Sequence, residues 1–173
     1  MNAQSVIFIM KWVMDMRDSR FTSEEMGNRI RRWMKQIGNE KPGSFACNLP
    51  ARFVTCDVTT GTAEYVFHTS SCMENPWGVT HGGVLAMALD WAMGITSRAM
   101  LDEADTPTIS MQIDYLHPVP LDCDMVIKVE VDHAGRTISH LQAKAYVEGR
   151  SECCVSASGH YYLRNIPFVL KDE

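Results

Sequence analysis

Asp90 is the residue whose type and place demand an explanation. It lies within Gly82-Gly83-Val84-Leu85-Ala86-Met87-Ala88-Leu89-Asp90-Trp91-Ala92-Met93-Gly94-Ile95, a run whose only charge is this carboxylate. If the run is a helix, the neighbours three and four positions away are Ala86, Met87, Met93 and Gly94, none of them a cation. Arg98 is two turns further on. A carboxylate buried there without a partner costs several kcal/mol or takes up a proton. It is therefore either satisfied by solvent or backbone, or it is a base or nucleophile kept in an apolar setting.

The residues just upstream supply complementary chemistry. Asn75-Pro76-Trp77-Gly78-Val79-Thr80-His81-Gly82-Gly83 is a polar, turn-rich loop that enters the helix at its N-terminus. Free N–H groups there, with the helix dipole, favour a developing negative charge. Gly82 and Gly83 have no side chain to keep a ligand from the backbone. Donors for an oxyanion and a nearby carboxylate are the parts of an acyl-transfer site. Gly82 and Asp90, however, stand about 12 Å apart along a helix rising 1.5 Å per residue. Two chains related by a dyad could bring both groups to one carbonyl, so a composite site in a homodimer, or in a tetramer of two dimers, is expected.

The elements that must position these groups are legible from periodicity. The central run reads as one helix to about Leu101, and the small Ala86, Ala88, Ala92 and Gly94 allow it to approach a sheet closely. Strand patterns surround it. Met125, Ile127, Val129 and Val131 alternate with polar residues, as do Leu141, Ala143, Ala145 and Val147. Cys153, Val155, Ala157, Gly159, Tyr161 and Leu163 share a face opposite Ser156, Ser158 and His160. Ile109, Met111, Ile113 and Tyr115 alternate with Ser110, Gln112 and Asp114, ending near His117-Pro118. Weaker strands fit 51–58 and 62–68. An antiparallel sheet around one buried helix is an α+β architecture.

Residues 1–43 read as an N-terminal helical extension and 44–173 as the main domain. Thr22 and Glu25 form a capping box, and Phe21 can staple onto Met26. Ile30, Trp33, Met34 and Ile37 continue an apolar stripe that Gly38 is placed to end. Asn39 to Gly43 reads as a connector. Ser5 to Met16 is apolar but lacks a basic leader and a cleavage site, so an amphipathic helix is the reading there.

Composition narrows the function classes. A net charge of -5 gives no basic surface for nucleic acid or anionic lipid. Cys47, Cys56, Cys72, Cys123, Cys153 and Cys154 include no C-x-x-C pair and no zinc-like spacing, so reduced, mostly buried cysteines and a cytoplasmic location are expected. His68, His117, His133, His140 and His160 show no ligand-like grouping, and no metal is expected.

Asn75, five residues, His81-Gly82-Gly83, six residues, Asp90 is a pattern that closely resembles the PaaI-type branch of the hotdog-fold acyl-CoA thioesterases. Thr108, the strand end Tyr115-Leu116-His117-Pro118 and the turn Gly135-Arg136 match as well, and the resemblance spans about residues 44–163. It implies a hotdog fold, in which the sheet wraps the central helix, and hydrolysis of an acyl- or aryl-CoA thioester without metal or redox cofactor. It further implies that Asp90 is the nucleophile or the base activating water, and that the Gly82 N–H polarises the carbonyl. Asn75 would position the thioester or the water. His81 would hold the loop or assist at the thiolate, and Thr108 would orient water. Gly83, Gly135 and Arg136 would meet the CoA moiety, and loop and carboxylate would come from opposite subunits. A non-hydrolytic acyl-CoA-binding domain and a hydroxyacyl-thioester dehydratase are the alternative readings. Trp77, Met87, Trp91 and Met93 could line the acyl pocket, or could pack the core or an interface.

Overall fold

The computed structural model describes residues 22–40, 49–100, 105–135 and 137–163. In chain order these form α1 (Ser23–Glu40), β1 (Ala51–Asp57), β2 (Thr62–His68), a single 3-10 turn (Ser71–Met73), α2 (Gly82–Met100), β3 (Thr108–Tyr115), β4 (Asp124–Ala134), β5 (Ile138–Val147) and β6 (Cys153–Tyr162). The six strands make one sheet in the order β1-β2-β4-β5-β6-β3, every neighbouring pair antiparallel. Expected residues 1–21, the end of the connector, Cys47, Leu101 and Arg136 lie outside the described residues.

The sheet curls around α2, as the strand alternation requires. Tyr65 and Phe67 of β2, Met125, Ile127 and Val129 of β4, Leu141, Ala143 and Ala145 of β5, and Val155 and Tyr161 of β6 turn inward. They close on Leu85, Ala88, Leu89, Ala92 and Met93 of α2. The small residues Ala88 and Ala92 are fully buried at this contact, which lets helix and sheet approach closely. Among the described residues no helix is long and apolar enough to cross a membrane.

The capping box at the start of α1 forms as read: the Thr22 N–H donates to Glu25 Oε2, and the Glu25 N–H donates to Thr22 Oγ1 at 3.2 Å. The helix does not stop at Gly38 but runs on to Glu40. A glycine costs a helix only about 1 kcal/mol against alanine, which tertiary packing of the preceding turns readily overcomes. Met26, Ile30 and Trp33 of α1 enter the same core as α2. Arg98 of α2 stacks over the Trp33 ring at 3.4 Å, and Arg29 Nη1 donates to the Ala99 carbonyl at 3.3 Å. Burial of the cysteines is less complete than expected. Cys154 is buried, Cys56, Cys123 and Cys153 are half-buried, Cys72 is exposed, and these five are free thiols.

Candidate active site

Asp90 is neither unpaired nor neutralised by a cation. Thr108 Oγ1 donates to its Oδ1 at 2.8 Å, and the Tyr161 hydroxyl donates to the same Oδ1 at 3.0 Å and to the Asp90 carbonyl at 3.2 Å. No described residue donates to Oδ2. Burial, and next to it the Asp90 charge, push the Tyr161 pKa far above the usual tyrosine value, so this hydroxyl keeps the proton that it donates to Asp90.

Thr108 reaches Asp90 because β3 breaks its own alternation. Ser110 pairs with His160 and Thr108 pairs with Tyr161, so Ile109 is an extra residue with no partner in β6. Strict alternation would set Thr108 on the outer face with Ser110. The bulge at Ile109 turns it to the helix side and leaves Ile109 more than half exposed.

At the other end of β3 the loop is held by a dense set of bonds. Glu74 and Thr80 form an antiparallel bridge, and Asn75 Oδ1 accepts from the Trp77 and Val79 N–H groups at 2.9 and 3.3 Å. With that oxygen committed to the loop, the Asn75 amide nitrogen is the atom left for a ligand. Thr80 donates through Oγ1 to the Pro120 carbonyl at 2.9 Å, and the His81 N–H donates to the Met73 carbonyl at 2.8 Å. The His81 ring accepts the Gly83 N–H at Nδ1, 2.9 Å away. His81 therefore caps the start of α2, and the Gly83 N–H is occupied. The Gly82 N–H, by contrast, has no acceptor among the described residues.

Gly82 sits against Tyr115, whose hydroxyl donates to the Gly82 carbonyl at 2.9 Å. A Cβ at position 82 would meet the Tyr115 ring at 3.3 Å, so the close approach needs glycine. Asn75, Thr80, Gly82, Tyr115 and Leu116 line a cavity of about 260 Å³. Neither tyrosine stood out in the sequence. Tyr115 and Tyr161 read as apolar positions of alternating strands, and only the rule that a buried tyrosine hydroxyl seeks a partner could have pointed to them.

The described residues thus form two clusters in one chain, candidate half-sites: Asp90, Thr108 and Tyr161 at the start of β3, and Asn75, Gly82 and Tyr115 at its end. Gly135 is at the far turn, where its N–H donates to the Ile138 carbonyl at 2.9 Å. Of the four suggested pocket residues, Met93 is fully buried core, and Trp91 packs edge-on against Tyr65 with ring centroids 5.5 Å apart. Met87 is half-buried, and Trp77 stands 84% exposed at the loop tip. Among the described residues no three metal-ligating side chains converge.

Residues 78–154, which run from the loop through α2 and into β6, match the family model described as the thioesterase superfamily. In that segment the chain is similar to the superfamily, and it has the hotdog fold. Its fold is of the PaaI type. The PaaI protein from the E. coli phenylacetic acid degradation operon superposes with a TM-score of 0.70 at 15% identity, over 83% of this chain and 96% of that one. A phenylacetic acid degradation-related protein from Ralstonia eutropha gives 0.66 at 20% identity, over 78% and 98%. A hypothetical thioesterase from Streptococcus pneumoniae, solved with coenzyme A, gives 0.58 at 22% identity, over 65% and 87%. No curated protein matches in sequence. The share covered by the E. coli protein exceeds what residues 44–173 could supply, so that likeness reaches into the N-terminal helical segment as well.

Proposed function

We propose that this hotdog domain hydrolyses an acyl- or aryl-CoA thioester to the free acid and CoA. The observation that carries the reading is the Asp90 carboxylate, set in an apolar helix with Oδ1 held by two hydroxyls and Oδ2 unclaimed. In the proposed reaction the Gly82 N–H donates to the thioester oxygen and stabilises the charge that develops on it. Asp90 either attacks the carbonyl carbon through Oδ2, or takes the proton of a water that attacks it. The C–S bond then breaks and CoA leaves as the thiolate, which takes a proton from protonated Asp90 in the water route or from water in the direct one. In the direct route a water then hydrolyses the acyl–Asp90 anhydride, releasing the free acid and restoring the carboxylate. Thr108 orients the carboxylate or its water, the Asn75 amide positions the thioester, and His81 keeps the loop in shape. The proposal assigns these steps to protein groups and water, without metal or redox cofactor. Gly135 and Arg136, at the turn between β4 and β5, are proposed contacts for the CoA moiety.

The two half-sites are too far apart to serve one carbonyl within a chain. Asp90 and Gly82 stand about 12 Å apart along α2, and Thr108 and Tyr115, the β3 residues bonded to them, lie seven residues apart at opposite ends of that strand. β3 is also the last strand of the sheet. If it pairs antiparallel with its copy about the Met111–Gln112 midpoint, Thr108 lies opposite the partner's Tyr115. Each Asp90 then faces the partner's Gly82, which is the reading that the 12 Å separation along α2 also favours.

A thiol-release assay over aryl, short and long acyl-CoAs tests the activity. Asp90→Asn and Asp90→Ala are expected to lower kcat about 10²- to 10⁴-fold, the range a general base contributes. Turnover like that of the wild type in either variant would remove Asp90 from the mechanism.

A further inference from the structure

Tyr161 has a job that burial alone does not explain. Its ring lies in a slot formed where two side chains are missing. A Cβ on Gly159 of β6 would come within 2.9 Å of the Tyr161 ring, and one on Gly94 of α2 within 3.5 Å of it. The ring cannot swing in such a slot, and its hydroxyl is aimed at Asp90. A buried tyrosine needs only one acceptor, and the Asp90 carbonyl at 3.2 Å would suffice. The nearer contact, at 3.0 Å, is to the carboxylate instead. It falls on Oδ1, the oxygen that Thr108 already holds.

We infer that Tyr161 is a positioning residue for the proposed reaction: with Thr108 it fixes Oδ1, so that Oδ2 alone is presented to the substrate. This rests on the hydrolase reading of Asp90. Two donors on one oxygen act in concert. Turning the carboxylate about its terminal torsion would break both bonds, so the direction of Oδ2 is set before substrate arrives. The bulge at Ile109 is part of the same device, since it turns Thr108 onto the face where Tyr161 waits.

Tyr161→Phe keeps the ring in its slot and deletes only the donor. The loss of one hydrogen bond to a charged group corresponds to a kcat decrease of about 10- to 100-fold, with KM held within about twofold. The loss is expected to run through Asp90: in the Asp90→Ala background, Tyr161→Phe lowers kcat no further. A purely structural tyrosine would lower kcat by the same factor in both backgrounds. An unchanged kcat in Tyr161→Phe, or the same loss in both backgrounds, overturns the inference. If Asp90→Asn is inactive in that case, the hydrolase reading stands without it. If Asp90→Asn turns over like the wild type, the hydrolase reading of Asp90 fails, and the inference with it.

Discussion

At the scale of single residues, two tyrosines tie the fold to pH. The Tyr65 hydroxyl shares a hydrogen bond of 2.8 Å with Thr96 and is fully buried, and burial raises its pKa far above the usual 10.0. Tyr161 is shifted in the same direction, by burial first and by Asp90 second. A group whose folded pKa is raised contributes its stability in full below the unfolded value and loses it as pH climbs beyond that value. The fold is therefore expected to weaken above about pH 10, by up to about 1.4 kcal/mol per pH unit for each tyrosine. Urea unfolding at stepped alkaline pH should show this slope, and Tyr65→Phe/Tyr161→Phe should flatten it. An identical slope in the double variant would assign the loss to other groups. The residue scale is also where sequence reading stops short. Asp90 stood out because its helix is otherwise apolar. Tyr161 did not, because its hydroxyl meets Asp90 only through the packing of β6 on α2, and Thr108 sits on the unexpected face because of one inserted residue that alternation cannot foresee.

The elements were more legible than their ends and junctions. Strands announce themselves through a period of two, and all six appear where the alternation or the weaker apolar runs put them. The capping box fixed the start of α1 because its two bonds are local. The end of α1 is not a local matter, since Gly38 is overruled by what the preceding turns bury. That burial predicts a ranking of variants. Trp33 is buried among core residues beneath the Arg98 guanidinium, so Trp33→Ala is expected to cost about 3–5 kcal/mol in urea denaturation. Thr22→Ala removes one side of the capping box and should cost about 1 kcal/mol. If Trp33→Ala cost no more than Thr22→Ala, α1 would be an accessory to the hotdog core rather than a part of it.

On the scale of the whole molecule, the sheet leaves β3 as an edge with Ile109, Tyr115 and Leu116 exposed beside its open backbone. That same strand carries one of the two proposed half-sites at each end. The proposal that two chains share their sites makes a prediction that no single-chain site can satisfy. Asp90→Asn leaves the loop intact and removes the carboxylate. Gly82→Ala leaves the carboxylate and places a Cβ against the Tyr115 ring beside the N–H proposed to bind the carbonyl. Each homodimer should be impaired in both of its sites. In a heterodimer of the two, one composite site combines the native Asp90 of one chain with the native Gly82 of the other, while the second site carries both lesions. Co-expression with two affinity tags, followed by purification of the mixed species, should therefore restore activity to about half that of the wild-type dimer per mole of heterodimer, and unsorted mixing to about a quarter of all sites. A mixed dimer with only the mean activity of the two parents would place Asp90 and Gly82 in separate sites and dissolve the shared-site mechanism, even if each variant alone behaved as expected.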